Sequence, residues 1–90
     1  MADQRYRVQS LGRGLDLLEL LAKSGRDGAR LTDLALGLGL SKAATYAILQ
    51  TFLSRGFISA IGEAATKRYR LGMSLARLGD LAISNIALAD

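Results

Sequence analysis

Ninety residues make one small domain, half apolar and 22% charged, a composition that is globular and unlike a disordered tail. The balance is basic: 12 Lys and Arg against 8 Asp and Glu give a net charge of +4, which suits nucleic acid or an anionic membrane surface as well as plain solubility. The chain has no Cys and no His, so disulfides, thiolate nucleophiles, imidazole bases and the usual structural zinc sites are excluded, and a reducing, cytoplasmic setting fits.

A chain this short buries roughly 60% of the surface that its unfolded form exposes, so a partner subunit would help it. No apolar run approaches the ~20 residues of a membrane span, and no apolar stretch of the secretory kind follows Met1–Arg5. Neither membrane insertion nor a signal peptide is expected.

Residues 1–9 are polar, carry Arg5 and Arg7, and read as a flexible arm whose arginines are either solvated or reach a minor groove. Leu11, Leu15, Leu18, Leu21 and Ala22 recur at helical steps and predict a first helix with Leu15, Leu18 and Leu21 in the core. Ser10 is its expected N-cap and Gly25 its stop. Gly12 and Gly14 weaken it by roughly 1 kcal/mol each relative to Ala. Residues 24–30 read as a loop. Thr32 is placed to cap a second helix, with Leu31 and Leu36 as a hydrophobic staple, and Gly39 limits that helix to about two turns.

Ser41 is the expected N-cap of a third helix that runs to about Arg55, with Gly56 as its end. Thr45, Ile48, Leu49 and Phe52 form its buried stripe. Ala43, Ala47, Gln50 and Ser54 lie opposite, flanked by Lys42 and Tyr46. The period then changes. Residues 57–61 and 67–71 read as two strands around a loop at 62–66, a β-hairpin. Tyr69 and Leu71 share one face of the second strand, with Tyr69 in the core, while Arg68 and Arg70 share the other. After Gly72, apolar residues from Met73 to Ala87 cover most of the circumference of a helix about 17 residues long, roughly 25 Å. It is too apolar to stand alone in water.

Three helices followed by a hairpin predict a mainly α fold, a winged helix-turn-helix over residues 10–72 with a C-terminal linker helix over 73–90. The third helix is then a recognition helix for the major groove. Ser41 and Lys42 would hold a phosphate at its N-terminus. Tyr46 and Gln50 are long enough for base edges or phosphates, and Ala43, Ala44 and Ala47 permit close approach to thymine methyls. In the wing, Thr66, Lys67, Arg68 and Arg70 would straddle a sugar–phosphate backbone or enter the minor groove. Between Leu40 and Gly72 lie Lys42, Arg55, Lys67, Arg68 and Arg70 against Glu63 alone, a surplus equal to the +4 of the whole chain.

The expected activity is sequence-specific binding of double-stranded DNA. The alternative is a winged-helix module for protein partners; the basic wing and the small, polar outer side of the third helix argue against it. Leu75, Leu78, Ala82 and Ile86 are assigned to a dimer contact. The carboxylates are scattered and Gly37–Lys42 has the spacing of neither common phosphate-binding loop, so no enzyme, cofactor or metal site is expected.

Several segments together resemble the N-terminal domain of the IclR family of bacterial transcription regulators, over roughly residues 8–82. They are Ser10-Leu11-Gly12-Arg13-Gly14-Leu15-Asp16-Leu17-Leu18-Glu19-Leu20-Leu21, Leu31-Thr32-Asp33-Leu34-Ala35, Leu38-Gly39-Leu40-Ser41-Lys42, Leu53-Ser54-Arg55-Gly56-Phe57-Ile58 and Arg68-Tyr69-Arg70-Leu71-Gly72. The resemblance implies a homodimer on a palindromic or near-palindromic operator, acting as repressor or activator. It also implies a helical linker to a C-terminal domain that binds a small-molecule effector, with this sequence stopping where that domain would begin. Family members often carry Ser or Thr early in the recognition helix and Arg one turn later. Here Ala43, Ala44 and Ala47 stand instead, which shifts weight to the wing and to phosphate contacts.

Overall fold

The core gathers where three helices and a hairpin turn apolar side chains to one point. In the computed structural model, which describes residues 4–89, Leu17, Leu21, Leu34, Leu49 and Ile58 are each at most 2% exposed. They come from α1 (Gln9–Lys23), α2 (Leu31–Leu38), α3 (Lys42–Ser54) and β1 (Ile58–Ile61); β2 (Arg68–Leu71) and α4 (Met73–Ala89) follow. This is the order of a winged helix-turn-helix.

On α1 the buried stripe is Gly14, Leu17 and Leu21, displaced from the one expected. Leu15 is 53% exposed and Leu11 61%, which corrects Leu15 as a core residue; Leu18 is half-buried against the core. The cause is the approach of α3. A Cβ on Gly14 would lie only 3.1 Å from Phe52 Cζ, so α3 crosses where α1 has no side chain, and that crossing selects the stripe.

Two expected caps are also corrected. Helix α1 begins at Gln9 with Val8 as N-cap and no side-chain cap bond, so Ser10 lies inside its first turn. Helix α2 begins at Leu31 with Arg30 as N-cap, again without a side-chain cap bond, and Thr32 lies inside its first turn. Leu36 is 81% exposed, so the staple with Leu31 does not form. Of the expected arm, residues 1–3 lie outside the described residues, as does Asp90; Gln4–Tyr6 forms a 3-10 turn and Gln9 already belongs to α1.

The hairpin is antiparallel, pairing Ile58 with Leu71 and Ala60 with Tyr69. Its strands start at Ile58 and Arg68, one residue later than the sequence suggests. The segment 24–30 is more ordered than a plain loop. It contains a 3-10 turn at Gly25–Asp27, and Ala29 bridges to Tyr69. The Ala29 N–H donates to the Tyr69 carbonyl at 2.9 Å and the Tyr69 N–H donates back at 2.8 Å. Strand β2 is therefore flanked on both sides. Gly28, at φ +75°, permits this: a Cβ there would run into the Tyr69 carbonyl oxygen.

Helix α4 is tied to the body at its start. The Ser74 hydroxyl donates to the Arg55 carbonyl at 2.9 Å, and the Gly72 N–H donates to the Phe57 carbonyl at 2.7 Å. Beyond that anchor, Leu78, Leu81, Ile83 and Ile86 are all exposed.

The two glycine environments separate in a melting experiment. Gly28→Ala should cost more than about 2 kcal/mol, because the new methyl meets backbone and the left-handed φ disfavours Ala. Gly12 sits in α1 with nothing within 4 Å of its missing Cβ, so Gly12→Ala should add roughly 0.5–1 kcal/mol. Urea unfolding that ranks the two variants the other way would contradict this packing.

Candidate nucleic-acid interface

The turn from α2 to α3 sets the direction of the exposed helix. Gly39 takes the left-handed conformation (φ 67°, ψ 32°) and closes α2. Leu40 follows half-buried, its N–H donating to the Ala35 carbonyl at 3.0 Å. Ser41, in extended conformation, caps α3: its Oγ accepts the Ala44 N–H at 3.0 Å. The Ser41 carbonyl accepts the Thr45 N–H at 3.0 Å and the Thr45 hydroxyl at 2.9 Å. Thr45 is fully buried, so this pairing leaves no unsatisfied hydroxyl in the core.

Fixed in this way, α3 buries Thr45 and Leu49 and leaves Lys42, Ala43, Ala44, Tyr46, Ala47 and Gln50 exposed. The two flanks of the exposed face differ. On one, Ala47 lines an apolar hollow of about 350 Å³ with Leu11 and Gly14 of α1 and Phe52 of α3. On the other, Tyr46 borders a groove of about 330 Å³ between α2 and the wing. Arg30, Leu31 and Thr32 line it from the start of α2, Ala64, Ala65 and Lys67 from the wing, and Tyr69 also lines it.

The wing divides its cations between two faces. Lys67 stands on the same side as Tyr69, with its ammonium 5.8 Å from the centre of the Tyr69 ring. Strand alternation turns Arg68 and Arg70 to the opposite side. There each guanidinium donates one long bond to the segment before α2, Arg68 to the Gly28 carbonyl and Arg70 to the Arg26 carbonyl, both at 3.5 Å. Contacts this long leave most of each guanidinium's donor capacity for other acceptors. The Thr66 hydroxyl is used within the wing itself: it donates to the Glu63 carbonyl at 2.8 Å and accepts the Glu63 N–H at 3.3 Å.

The structure thus brings Tyr46 and Lys67 to one groove while Gln50 lies outside its lining. Leu75, Leu78, Ala82 and Ile86 stand apart on α4, where helical spacing aligns them along one side. Arg30 and Thr32 are additions that sequence reading misses. Arg30 falls outside the basic stretch from Leu40 to Gly72, and the pairing of its neighbour Ala29 with Tyr69 carries it to the wing. Its one sequence sign is a cation set directly before the helix that leads into the turn.

Among the described residues, no group of three or more metal-ligating side chains occurs, and no helix is long and apolar enough to cross a membrane.

Comparison with known proteins identifies the family and the fold. The family model of the IclR helix-turn-helix domain matches residues 10–62. The glycerol operon regulatory protein of Streptomyces coelicolor is 42% identical over 72 residues, covering 80% of this chain and 27% of that protein. The transcriptional repressor IclR of Escherichia coli is 46% identical over 57 residues, covering 63% of this chain and 20% of the repressor. Among solved structures, an IclR transcriptional regulator from Alicyclobacillus acidocaldarius superposes with a TM-score of 0.75 at 31% identity, over 86% of this chain and 30% of that one. An IclR-family regulator from Brucella abortus gives a TM-score of 0.75 at 25% identity, over 94% of this chain and 31% of its own. The chain spans less than a third of the length of each of these proteins. On the matched family model, the relatives and the shared winged-helix fold, the chain belongs to the IclR family of transcription regulators and corresponds to their DNA-binding domain.

Proposed function

We propose that this chain reads a specific sequence in double-stranded DNA. Helix α3 enters the major groove, and the wing holds the flanking sugar–phosphate backbone. The observation that carries the reading is the exposed face of α3. Ala43, Ala47 and Gln50 present a surface small enough for close approach, with one side chain able to pair with adenine. The major groove, about 12 Å wide, admits one such helix. Ser41 and Lys42 at the start of α3 are placed for a phosphate. With Lys67 on one side of the hairpin and Arg68 and Arg70 on the other, the wing is suited to straddle a backbone, and Thr66 stabilises its tip.

The protein acts in the cytoplasm as part of a longer regulator, either repressor or activator, and has no enzymatic role. The helix from Met73 onward links the DNA-binding domain to an effector-binding domain, through which a small molecule controls DNA binding. Two copies bind a palindromic operator as a homodimer, in contact through Leu75, Leu78, Ala82 and Ile86. The exposure of the last three on an otherwise unsupported helix supports this. A protein-binding winged helix is the rival reading. It is less well supported, because the outward side of α3 carries no large aliphatic side chain.

Selection from a random pool of DNA duplexes should return a two-fold symmetric site. Gln50→Ala should then change the preference at one base pair per half-site by roughly 1–3 kcal/mol. An equal loss at every position would remove Gln50 as a reader, and a pool with no enriched site would favour the protein-binding alternative.

The dimer is tested separately by sedimentation. The parent chain should sediment as a dimer and Leu78→Asp as a monomer, since a buried unpaired carboxylate is costly at an apolar contact. A monomeric parent chain would refute the α4 interface.

A further inference from the structure

We infer that the groove between the start of α2 and the wing holds a stretch of sugar–phosphate backbone, with Arg30 and Lys67 as its cationic walls and Tyr46 giving its hydroxyl to a phosphate instead of a base. This inference rests on the DNA-binding reading. It adds Arg30 as an affinity residue and assigns Tyr46 to positioning, leaving base reading to Gln50.

Three observations support it. The first is charge: Arg30 and Lys67 come from separate elements, and no carboxylate lines the groove with them. The second is the state of the lysine. Its ammonium rests over the Tyr69 ring, 5.8 Å from the centroid, a contact that orients the charge without neutralising it. The third is the apolar part of the lining. Leu31, Ala64 and Ala65 offer apolar contact with no side-chain donor or acceptor for a base edge. Such a lining suits the C–H faces of deoxyribose, while its polar members, Arg30, Thr32, Tyr46 and Lys67, suit phosphate oxygens. Tyr46 is 46% exposed and borders this groove, so its side chain is available to whatever fills it.

The test uses the whole chain, a duplex selected from a random pool and an unrelated duplex of equal length. Arg30→Gln removes the charge at an exposed position, and its melting temperature should equal that of the parent. It should weaken binding to both duplexes by the same factor and lower the salt slope by about 0.9. Between 50 and 200 mM salt its loss of affinity should then be roughly three- to fourfold smaller than the parent's. Tyr46→Phe should weaken every single-base variant of the selected site equally. Replacing the phosphates of that site one at a time by uncharged methylphosphonate should locate the contact. The parent should lose affinity at one or two adjacent positions where Arg30→Gln loses nothing further.

An unchanged salt slope in Arg30→Gln, or methylphosphonate losses equal in parent and variant at every position, would overturn the groove assignment while leaving DNA binding intact. A changed base preference in Tyr46→Phe would return Tyr46 to the readers and overturn its positioning role. Failure of the parent to bind either duplex would instead sink the DNA-binding reading, and this inference with it.

Discussion

The wing and the helices form one unit because of Tyr69. A two-stranded hairpin alone is marginal in water, and this one has only four residues in each strand. Tyr69 changes that. It is 3% exposed and belongs to the core cluster, and its backbone pairs with Ala29 on one side and stands opposite Ala60 on the other. A residue that joins the core through its side chain and two chain segments through its backbone leaves the hairpin little freedom to swing. Everything that depends on the distance between α3 and the wing depends on this anchor. The groove that Tyr46 and Lys67 share is one example, and the orientation of Arg68 and Arg70 towards the Arg26–Gly28 segment is another.

The second constraint is the turn that launches α3. Gly39 supplies the left-handed step, Ser41 satisfies an amide of the first turn, and the Thr45 hydroxyl bonds back to the Ser41 carbonyl. A polar side chain at the centre of a small core costs stability unless it is bonded. Here the bond makes Thr45 part of the turn, so a fully buried residue of α3 also registers its N-terminus. The exposed face of α3 thus stands on a rigid support, which favours accurate positioning of any side chain on it.

Much of this was legible in the sequence, and the failures share a cause. Periodicity located α1, α3 and α4, the Ser41 cap and the sides of β2, because each rests on local rules. It did not choose among overlapping stripes on α1, where leucines at 11, 15, 17, 18, 20 and 21 allow more than one apolar face. The close crossing of α3 at Gly14 makes that choice, and it is a tertiary fact. The misplaced caps at Ser10 and Thr32 arose the same way: a suitable residue near a helix start is common, and whether its side chain closes on the backbone depends on where the chain comes from. Arg30 escaped because its relation to the wing spans nearly forty residues of sequence. The pairing of Ala29 with Tyr69, which brings the two segments together, leaves no local pattern beyond Gly28.

In the proposed reading, affinity and specificity come from different parts of the same face. Cations on separate elements, namely Arg30, Lys42, Lys67, Arg68 and Arg70, would act on phosphates and so on every sequence alike. Three alanines in the N-terminal half of α3 would contribute shape and methyl contact but no directed hydrogen bond. That leaves few side chains to discriminate bases, each worth roughly 1–3 kcal/mol. One copy would then bind DNA readily and choose its site poorly. A second copy changes the balance, because the discrimination free energies of two half-sites add and the selectivity ratio of one is squared. On this argument the apolar stripe of α4, set apart from the proposed DNA face, would become as important to specificity as Gln50.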